Sequence, residues 1–267
     1  MKVFVTADYE GVAGLVTWDG ADRQREREFI TADVNAAVRG AFEGGATEVL
    51  VGEAHANMRN LIPEALDERV RFLSGQPKPF NHMAGLDESF DLALLIAYHA
   101  KAGTERGVMA HTYTGSIFSL KFNDIEVGEI GADSAIAGHL GVPVGLVTGD
   151  RAACEEARAL LGEIETVVVK EGVSRSAAIC LPPGVARESI RQAAGRAVGR
   201  ADEFNPLVLD TPVEVELTFI DPSFADGVEH LPFVTRTSGC TIVLEAEDYG
   251  KAFELVNAIQ FLAGVVR

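Results

Sequence analysis

The sequence has little cysteine and no long apolar run. Its three cysteines, Cys154, Cys180 and Cys240, lie far apart among 267 residues and form no C-x-x-C spacing. This pattern predicts neither a disulfide framework nor a thiolate zinc site, and it is typical of a reducing compartment.

No apolar stretch reaches the roughly eighteen residues that a membrane span needs. Met1 and Lys2 lead directly into a strand-like segment rather than into a signal peptide, so we expect a cytoplasmic protein.

Basic residues are also few, with 23 lysines and arginines against 40 acidic residues and a formal net charge of −17. Such a surface repels phosphate backbones and anionic membranes at long range. We therefore expect neither a nucleic-acid partner nor a membrane partner. The share of hydrophobic residues, 47%, is that of an ordinary globular protein.

Several common enzyme motifs are absent. The sequence contains no G-x-S-x-G elbow and no H-E-x-x-H helix, which argues against the usual serine hydrolases and single-zinc proteases. The segment E-G-V-A-G at residues 10–14 does not match the G-x-G-x-x-G fingerprint, and the carboxylates of Asp8 and Glu10 beside it would repel a pyrophosphate. Nucleotide binding is therefore not indicated.

Short β-branched runs alternate with longer amphipathic segments, which is typical of βαβ units that form a parallel sheet. A hairpin is predicted between residues 116 and 129, with its turn at Asn123 and Asp124. The segment LPPG at 181–184 interrupts the alternation. The sequence predicts an α/β fold, with a three-layer Rossmann-like domain and a mostly parallel sheet over residues 1–180. A smaller C-terminal α/β domain is predicted over residues 181–267.

Polar side chains that can bind a metal fall at the ends of predicted strands. Asp8 and Glu10 follow the first strand, and side chains two residues apart in an extended chain project to the same face. His55 and His99 follow two later strands, and Glu129 ends the predicted hairpin. Because ligands bind at the carboxyl edge of open parallel sheets, these residues can reach one crevice. Two imidazoles and three carboxylates suit zinc, and also manganese or cobalt.

Each of these residues has a simpler interpretation when taken singly. An isolated D-x-E pair is usually a solvated acidic loop, and a lone histidine after an apolar run is usually a hydrogen-bonded structural residue. Their shared position at the sheet edge favours a metal site. His111 lies about a dozen residues beyond His99, so it is either a surface-loop histidine or a catalytic residue over the same crevice. The remaining histidines, His82, His139 and His230, are predicted to be structural.

Several separated segments, in one order, resemble the DppA-type D-aminopeptidases, a family of zinc peptidases. The G-E-A-H segment that ends at His55 departs from the N-D-S-H expected for the family, so Glu53 replaces a shorter carboxylate. The segments that carry the resemblance are ADYEG, TEVLVGEAHANMRNL, SGQPKPFNHMAGLD, IAYHAKAGTERGVMAHTY, FNDIEVGEIG, VPVGLVTGD and VKEGVSRSAAICLPP.

The resemblance implies two zinc ions per subunit and a ring-shaped homodecamer. Asp8 would bridge the ions, Glu10 and His99 would complete one site, and His55 and Glu129 would complete the other. His111 matches the family's catalytic histidine. We therefore expect a cytoplasmic metallo-aminopeptidase that hydrolyses short peptides with N-terminal D-residues such as D-Ala, through a hydroxide bridging the two ions.

Two alternatives share the predicted crevice. A metal-dependent amidase acting on a non-peptide amide would use the same five ligands, and indifference to blocking of the substrate's α-amine would favour it. A non-catalytic peptide-binding protein would need the crevice but no activated water. Such a protein is normally exported, and we expect no export signal here.

Overall fold

The computed structural model describes residues 1–20 and 22–266. The first helix shows how local sequence sets the element boundaries. The side chain of Asp22 accepts a hydrogen bond from the backbone amide of Arg25 at 3.1 Å, and Gly44 ends the helix. In chain order the elements are β1 (Lys2–Ala7), α1 (Arg23–Glu43), β2 (Glu48–Glu53), β3 (Arg71–Leu73), β4 (Leu92–Tyr98), β5 (Ile117–Phe122), β6 (Ile125–Val127), α2 (Glu129–His139), β7 (Val144–Asp150), α3 (Arg151–Leu161), β8 (Glu165–Ser174), β9 (Ala177–Cys180), α4 (Pro183–Gly199), β10 (Val213–Phe219), α5 (Pro222–Asp226), β11 (Thr235–Arg236), β12 (Thr241–Ala246) and α6 (Tyr249–Ala263).

The larger sheet has seven strands in the order β3-β2-β1-β4-β7-β8-β9. Every pair is parallel except β8 with β9, which confirms the predicted α/β fold with a mostly parallel sheet. Strand β1 lies between β2 and β4, and its last residue, Ala7, pairs with Glu53 on one side and Ile96 on the other. The loops that follow these three strands therefore leave the same edge of the sheet. Strands β2 and β3 lie on one side of β1, and β4, β7 and β8 lie on the other, so the strand order reverses between β1 and β4. In open parallel sheets, ligands bind in the crevice at such a reversal.

Helices cover both faces of this sheet. Helices α1 and α4 pack together, as do α2 and α3, and the crossovers β1-α1-β2 and β7-α3-β8 run in opposite directions along the sheet. All seven residues of β4 are buried accordingly. Within the described residues, no helix combines the length and apolar character that crossing a bilayer requires.

A second sheet brings α2 to the crevice. Its five antiparallel strands have the order β11-β12-β10-β5-β6, and α6 packs against β10, β12 and α2. The predicted hairpin forms β5 and β6, and Asn123 and Asp124 adopt φ angles of 49° and 65° in its two-residue turn. Helix α2 begins at Glu129, directly after this hairpin.

The region around the predicted domain boundary is more regular than the sequence pattern indicates. Strand β8 continues to Ser174 and turns back into β9, an antiparallel strand that the pattern does not predict. The division into domains 1–180 and 181–267 stays a prediction. Packing crosses that boundary at several places, since α4 lies against α1, β10 pairs with β5 and α6 packs on α2.

Gly11 lets the loop after β1 pack directly against the backbone at the irregular end of β4. The pairing of β4 with β7 shifts near its end, where Ala97 adopts a φ of 63°, and the amide of Gly11 donates to the Ala97 carbonyl at 2.7 Å. A Cβ on Gly11 would lie 2.3 Å from both the Ala97 carbonyl carbon and the Tyr98 carbonyl oxygen. Only glycine permits this approach of two backbones.

We predict that Gly11→Ala lowers the free energy of unfolding by about 1–3 kcal/mol, the usual cost of forcing extra volume into packed structure. The matched control is Gly184→Ala in α4, where an added Cβ meets nothing within 4 Å. Urea denaturation followed by circular dichroism measures both variants. Equal unfolding midpoints for the two variants would contradict the close approach at Gly11.

Candidate metal centre

A cavity of about 490 Å³ opens at the carboxyl edge of β1, β2 and β4, a volume typical of small-ligand sites. The structure brings all six predicted site residues to this place, with His99 buried beneath the cavity and the other five lining it. The predicted residues that line it are Asp8, Glu10, His55, His111 and Glu129.

The two carboxylates after β1 are almost completely buried. Asp8 is 2% exposed and Glu10 is 1% exposed. The loop that carries Glu10 is held by the ammonium group of Lys170, which donates to the carbonyl oxygens of Glu10, Val12 and Leu15. The backbone conformation that aims Glu10 into the cavity is therefore fixed by a buried lysine from β8.

His55 follows β2 and reaches the same two carboxylates. Its Nδ1 lies 3.0 Å from Glu10 Oε2 and 3.5 Å from Asp8 Oδ1. The Tyr9 ring stacks on the imidazole at a centroid distance of 4.5 Å. Glu53, the departure from the family pattern, is not part of this contact. Its carboxylate accepts from the backbone amides of Asn60 and Leu61 and so supports the loop after His55.

His99 and Glu129 approach Asp8 from the other side. His99 Nε2 lies 3.5 Å from Asp8 Oδ2 and 3.3 Å from Glu129 Oε1. The other ring nitrogen, Nδ1, lies 3.0 Å from the carbonyl oxygen of Ala100, which can only accept a hydrogen bond. This contact places the proton on Nδ1 and leaves Nε2 free as a ligand. Glu129 is the first residue of α2, where the positive end of the helix dipole favours a carboxylate.

The buried atoms that face one another here lack hydrogen-bond partners. Asp8 Oδ2, Glu10 Oε2 and His99 Nε2 are inaccessible and make no hydrogen bond of acceptable geometry, although imidazole or carboxylate atoms lie within 3.5 Å of each of them. Such atoms in protein interiors are normally paired. Ligand atoms of Asp8, Glu10 and His99 lie within 4.8 Å of one another, and so do those of His99, His111 and Glu129. These unsatisfied oxygen and nitrogen atoms fit a divalent metal ion.

The buried carboxylates depend on nearby positive charge. Burial lowers the pKa of His55, but its contacts with Asp8 and Glu10 outweigh this effect and raise it to about 10. Burial and the neighbouring Glu10 raise the pKa of Asp8 to about 7. Burial also raises the pKa of Glu129, but the surrounding imidazoles, His99 first, outweigh this effect and lower it to about 2. Three carboxylates in one small volume repel one another unless positive charge lies between them.

His111 lies on the rim of the cluster. Its Nδ1 lies 2.9 Å from the carbonyl oxygen of Met109, and its Nε2 lies 3.6 Å from Glu129 Oε1. The ring stacks on His99 with centroids 4.1 Å apart. Burial and the neighbouring His99 lower the pKa of His111, so its imidazole is neutral near pH 7. A neutral ring anchored through Nδ1 presents Nε2 for proton exchange.

Sequence reasoning missed two residues that organise the site. Trp18 lines the cavity and donates its indole N–H to Glu10 Oε1. Lys170 supports the loop of Glu10 as described above. A lysine within the otherwise apolar strand TVVVKE was a signal of a buried, partnered cation. Trp18 lies outside the predicted elements, and no pattern in the sequence marked it.

The three histidines predicted to be structural occupy different surroundings. His82 lines the cavity, and its Nδ1 lies 3.0 Å from Asp133 Oδ2, which also accepts from the Tyr98 hydroxyl at 2.7 Å. His139 is the last residue of α2. The side chain of His230 is 91% exposed. His82 therefore belongs to the polar network around Glu129, and the other two lie outside the cavity.

The fold and the cluster together define an α/β protein with a candidate metal centre at the carboxyl edge of its parallel sheet. Comparison with known proteins gives the family. The profile of peptidase family M55, described as D-aminopeptidase, matches residues 1–258. The D-aminopeptidase of Bacillus subtilis (strain 168) is 34% identical over 270 residues, which cover 98% of each protein.

A solved structure gives the same relationship. It is described as the Zn-dependent D-aminopeptidase DppA from Bacillus subtilis, a self-compartmentalizing protease. It superposes with a TM-score of 0.95 at 32% identity and covers 99% of this chain and 98% of its own. The chain therefore belongs to the D-aminopeptidase family, which confirms the resemblance found in the sequence. It is a metallo-aminopeptidase, a hydrolase that acts on peptide bonds.

Proposed function

We propose that this enzyme uses two zinc ions to hydrolyse short peptides whose N-terminal residue is a D-amino acid such as D-alanine. The observation that carries the zinc proposal is the set of buried atoms without hydrogen-bond partners, Asp8 Oδ2, Glu10 Oε2 and His99 Nε2. The D-specificity rests on the family, and the zinc dependence of the related Bacillus subtilis enzyme supports zinc as the metal.

In this proposal Asp8 would contribute to both metal sites, because its two oxygens face different histidines. Oδ1 faces His55 and Oδ2 faces His99. Glu10 and His99 complete one site, and their ligand atoms group with those of Asp8. His55 and Glu129 complete the other. When bound, the two ions would supply a Lewis acid for the scissile carbonyl and a water activated near neutral pH.

The chain's own residues then position the peptide and move protons. His111 Nε2 lies next to Glu129 at the cavity, where it can take a proton from the attacking water. Once protonated, it can stabilise the developing oxyanion or pass that proton to the leaving amine. Trp18 closes part of the cavity wall and holds Glu10 in place through its indole N–H. Burial of the ligands excludes bulk water from the reacting centre.

We expect chelation to abolish hydrolysis of D-Ala-D-Ala and zinc to restore it, with manganese or cobalt as weaker substitutes. Liquid chromatography of the released amino acid measures the rate. L-Ala-L-Ala and N-acetyl-D-Ala-D-Ala are the matched control substrates. Full activity of the metal-free protein would refute the metal mechanism. Equal rates on the free and acetylated dipeptides would favour the amidase, and metal-loaded protein that binds but cleaves none of them would favour a binding protein.

We predict that His111→Ala lowers kcat by roughly 10²–10⁴-fold, the usual contribution of a general acid or base, while about two zinc ions per chain remain. Metal content is measured by mass spectrometry alongside the kinetics. His230→Ala is the control, because that side chain is 91% exposed. Loss of zinc from His111→Ala would assign His111 to metal binding instead of to proton transfer.

We also propose that the chain assembles into a ring-shaped decamer in the cytoplasm. The self-compartmentalizing character of the related Bacillus subtilis protease supports the assembly. A closed ring of identical subunits would enclose the cavities and restrict access to short peptides. Light scattering coupled to size-exclusion chromatography should give the mass of ten chains of 28.5 kDa each. A mass equal to one chain would refute the assembly.

A further inference from the structure

Arg175 brings a positive charge to a cavity otherwise rich in carboxylates. It lies at the turn between β8 and β9 and lines the same cavity as Asp8, Glu10 and Glu129. Among the cavity-lining side chains of the described residues, it is the one lysine or arginine. The cavity therefore has two electrically distinct regions, the carboxylate cluster and the guanidinium.

Both the backbone and the side chain of Arg175 are held in place. Its carbonyl oxygen accepts from the amide of Met109 at 2.8 Å, and its Nη2 lies 3.4 Å from the carbonyl oxygen of Ala110. The guanidinium carbon lies 5.0 Å from the centroid of the Trp18 ring, within the range of a cation–π contact. Arg175 is exposed, but these contacts attach its side chain to Trp18 and to the loop that carries His111.

Trp18 sets the separation between the guanidinium and the metal ligands. Its indole N–H donates to Glu10, and its ring meets the His111 ring edge-on with centroids 5.4 Å apart. Arg175 thus lies one indole ring away from the carboxylate cluster. An extended peptide advances about 3.3–3.6 Å per residue, so a peptide of two or three residues spans such a separation.

The guanidinium has no acidic partner in residues 1–20 and 22–266, since no aspartate or glutamate oxygen is found within 4.0 Å of it. Other exposed arginines of the described residues, such as Arg39 and Arg158, also lack an ion pair, but they do not line the cavity. In a chain with 40 acidic and 23 basic residues, an orientated arginine without an acidic partner is available to an anionic ligand. The planar guanidinium fork matches a carboxylate in a bidentate arrangement.

On the basis of the proposed aminopeptidase function, we propose that Arg175 binds the free α-carboxylate of the substrate. The substrate class is then a dipeptide or tripeptide with an unmodified C-terminus. Its carboxylate lies beside Trp18, and its N-terminal residue lies among Asp8, Glu10 and the histidines. Arg175 attracts the negative end of such a peptide to the side of the cavity away from the metal ligands, so it orientates the substrate for attack on the N-terminal bond.

The test compares D-Ala-D-Ala with its C-terminal amide, D-Ala-D-Ala-NH2, on zinc-loaded enzyme. Charge-assisted hydrogen bonds suggest that the wild type prefers the free acid by roughly 10–100-fold in kcat/KM. Arg175→Gln should lower kcat/KM for the free acid by that factor, mainly through a higher KM. Its kcat/KM for the amide should equal that of the wild type. Arg175→Lys should be intermediate. Arg71→Gln makes the same change in net charge at a side chain that is 75% exposed and outside the cavity, and it should behave as wild type.

A binding measurement separates this proposal from the proposed function. Calorimetry on zinc-loaded His111→Ala protein should give a Kd for the acid roughly 10–100-fold lower than for the amide, and adding Arg175→Gln should remove the difference. Equal Kd values for acid and amide in the His111→Ala protein would overturn the role of Arg175. So would an equal loss of kcat/KM on both substrates in Arg175→Gln. Failure of the wild type to cleave either dipeptide, with acid-selective binding retained, would overturn the proposed function alone.

Discussion

The burial of three carboxylates at one edge of the parallel sheet is the constraint on which the rest of the structure depends. Asp8, Glu10 and Glu129 are each at most 4% exposed, and they converge from the loop after β1 and from the first turn of α2. In a medium of low polarity their mutual repulsion is strong. The imidazoles of His55 and His99 contact them but leave buried ligand atoms unsatisfied. A divalent cation resolves both the repulsion and the missing contacts.

The backbone around this cluster is held more firmly than a surface loop would be. Gly11 lets the loop after β1 touch the end of β4, and Lys170 binds three carbonyl oxygens of that loop. Glu53 supports the loop after β2 by accepting hydrogen bonds from two of its backbone amides. The groups that support the loops lie on strands β2, β4 and β8, so the positions of the ligands depend on the assembled sheet. A metal centre needs this rigidity because small displacements change the affinity for the ion.

The sequence determined a large part of this protein by itself. Alternation of apolar runs and amphipathic segments indicated the α/β class, and the turn at Asn123 and Asp124 followed from local backbone preferences. The positions of Asp8, His55 and His99 at strand ends indicated a shared crevice, since parallel strands expose their carboxyl ends together. The pairing of these residues into two zinc sites came from the family resemblance alone, because spacing along the chain does not fix distances between loops.

Other features were decided by the tertiary structure. The hairpin that precedes Glu129 pairs with β10 from the far end of the chain, a contact between segments almost one hundred residues apart that no local pattern encodes. The same is true of Lys170, whose partners lie in the loop of Glu10, and of Arg175, whose guanidinium stacks on Trp18. The sequence shows where chemically active side chains can leave a strand. Which of them meet, and which charge is left without a partner, depends on long-range packing of the whole chain.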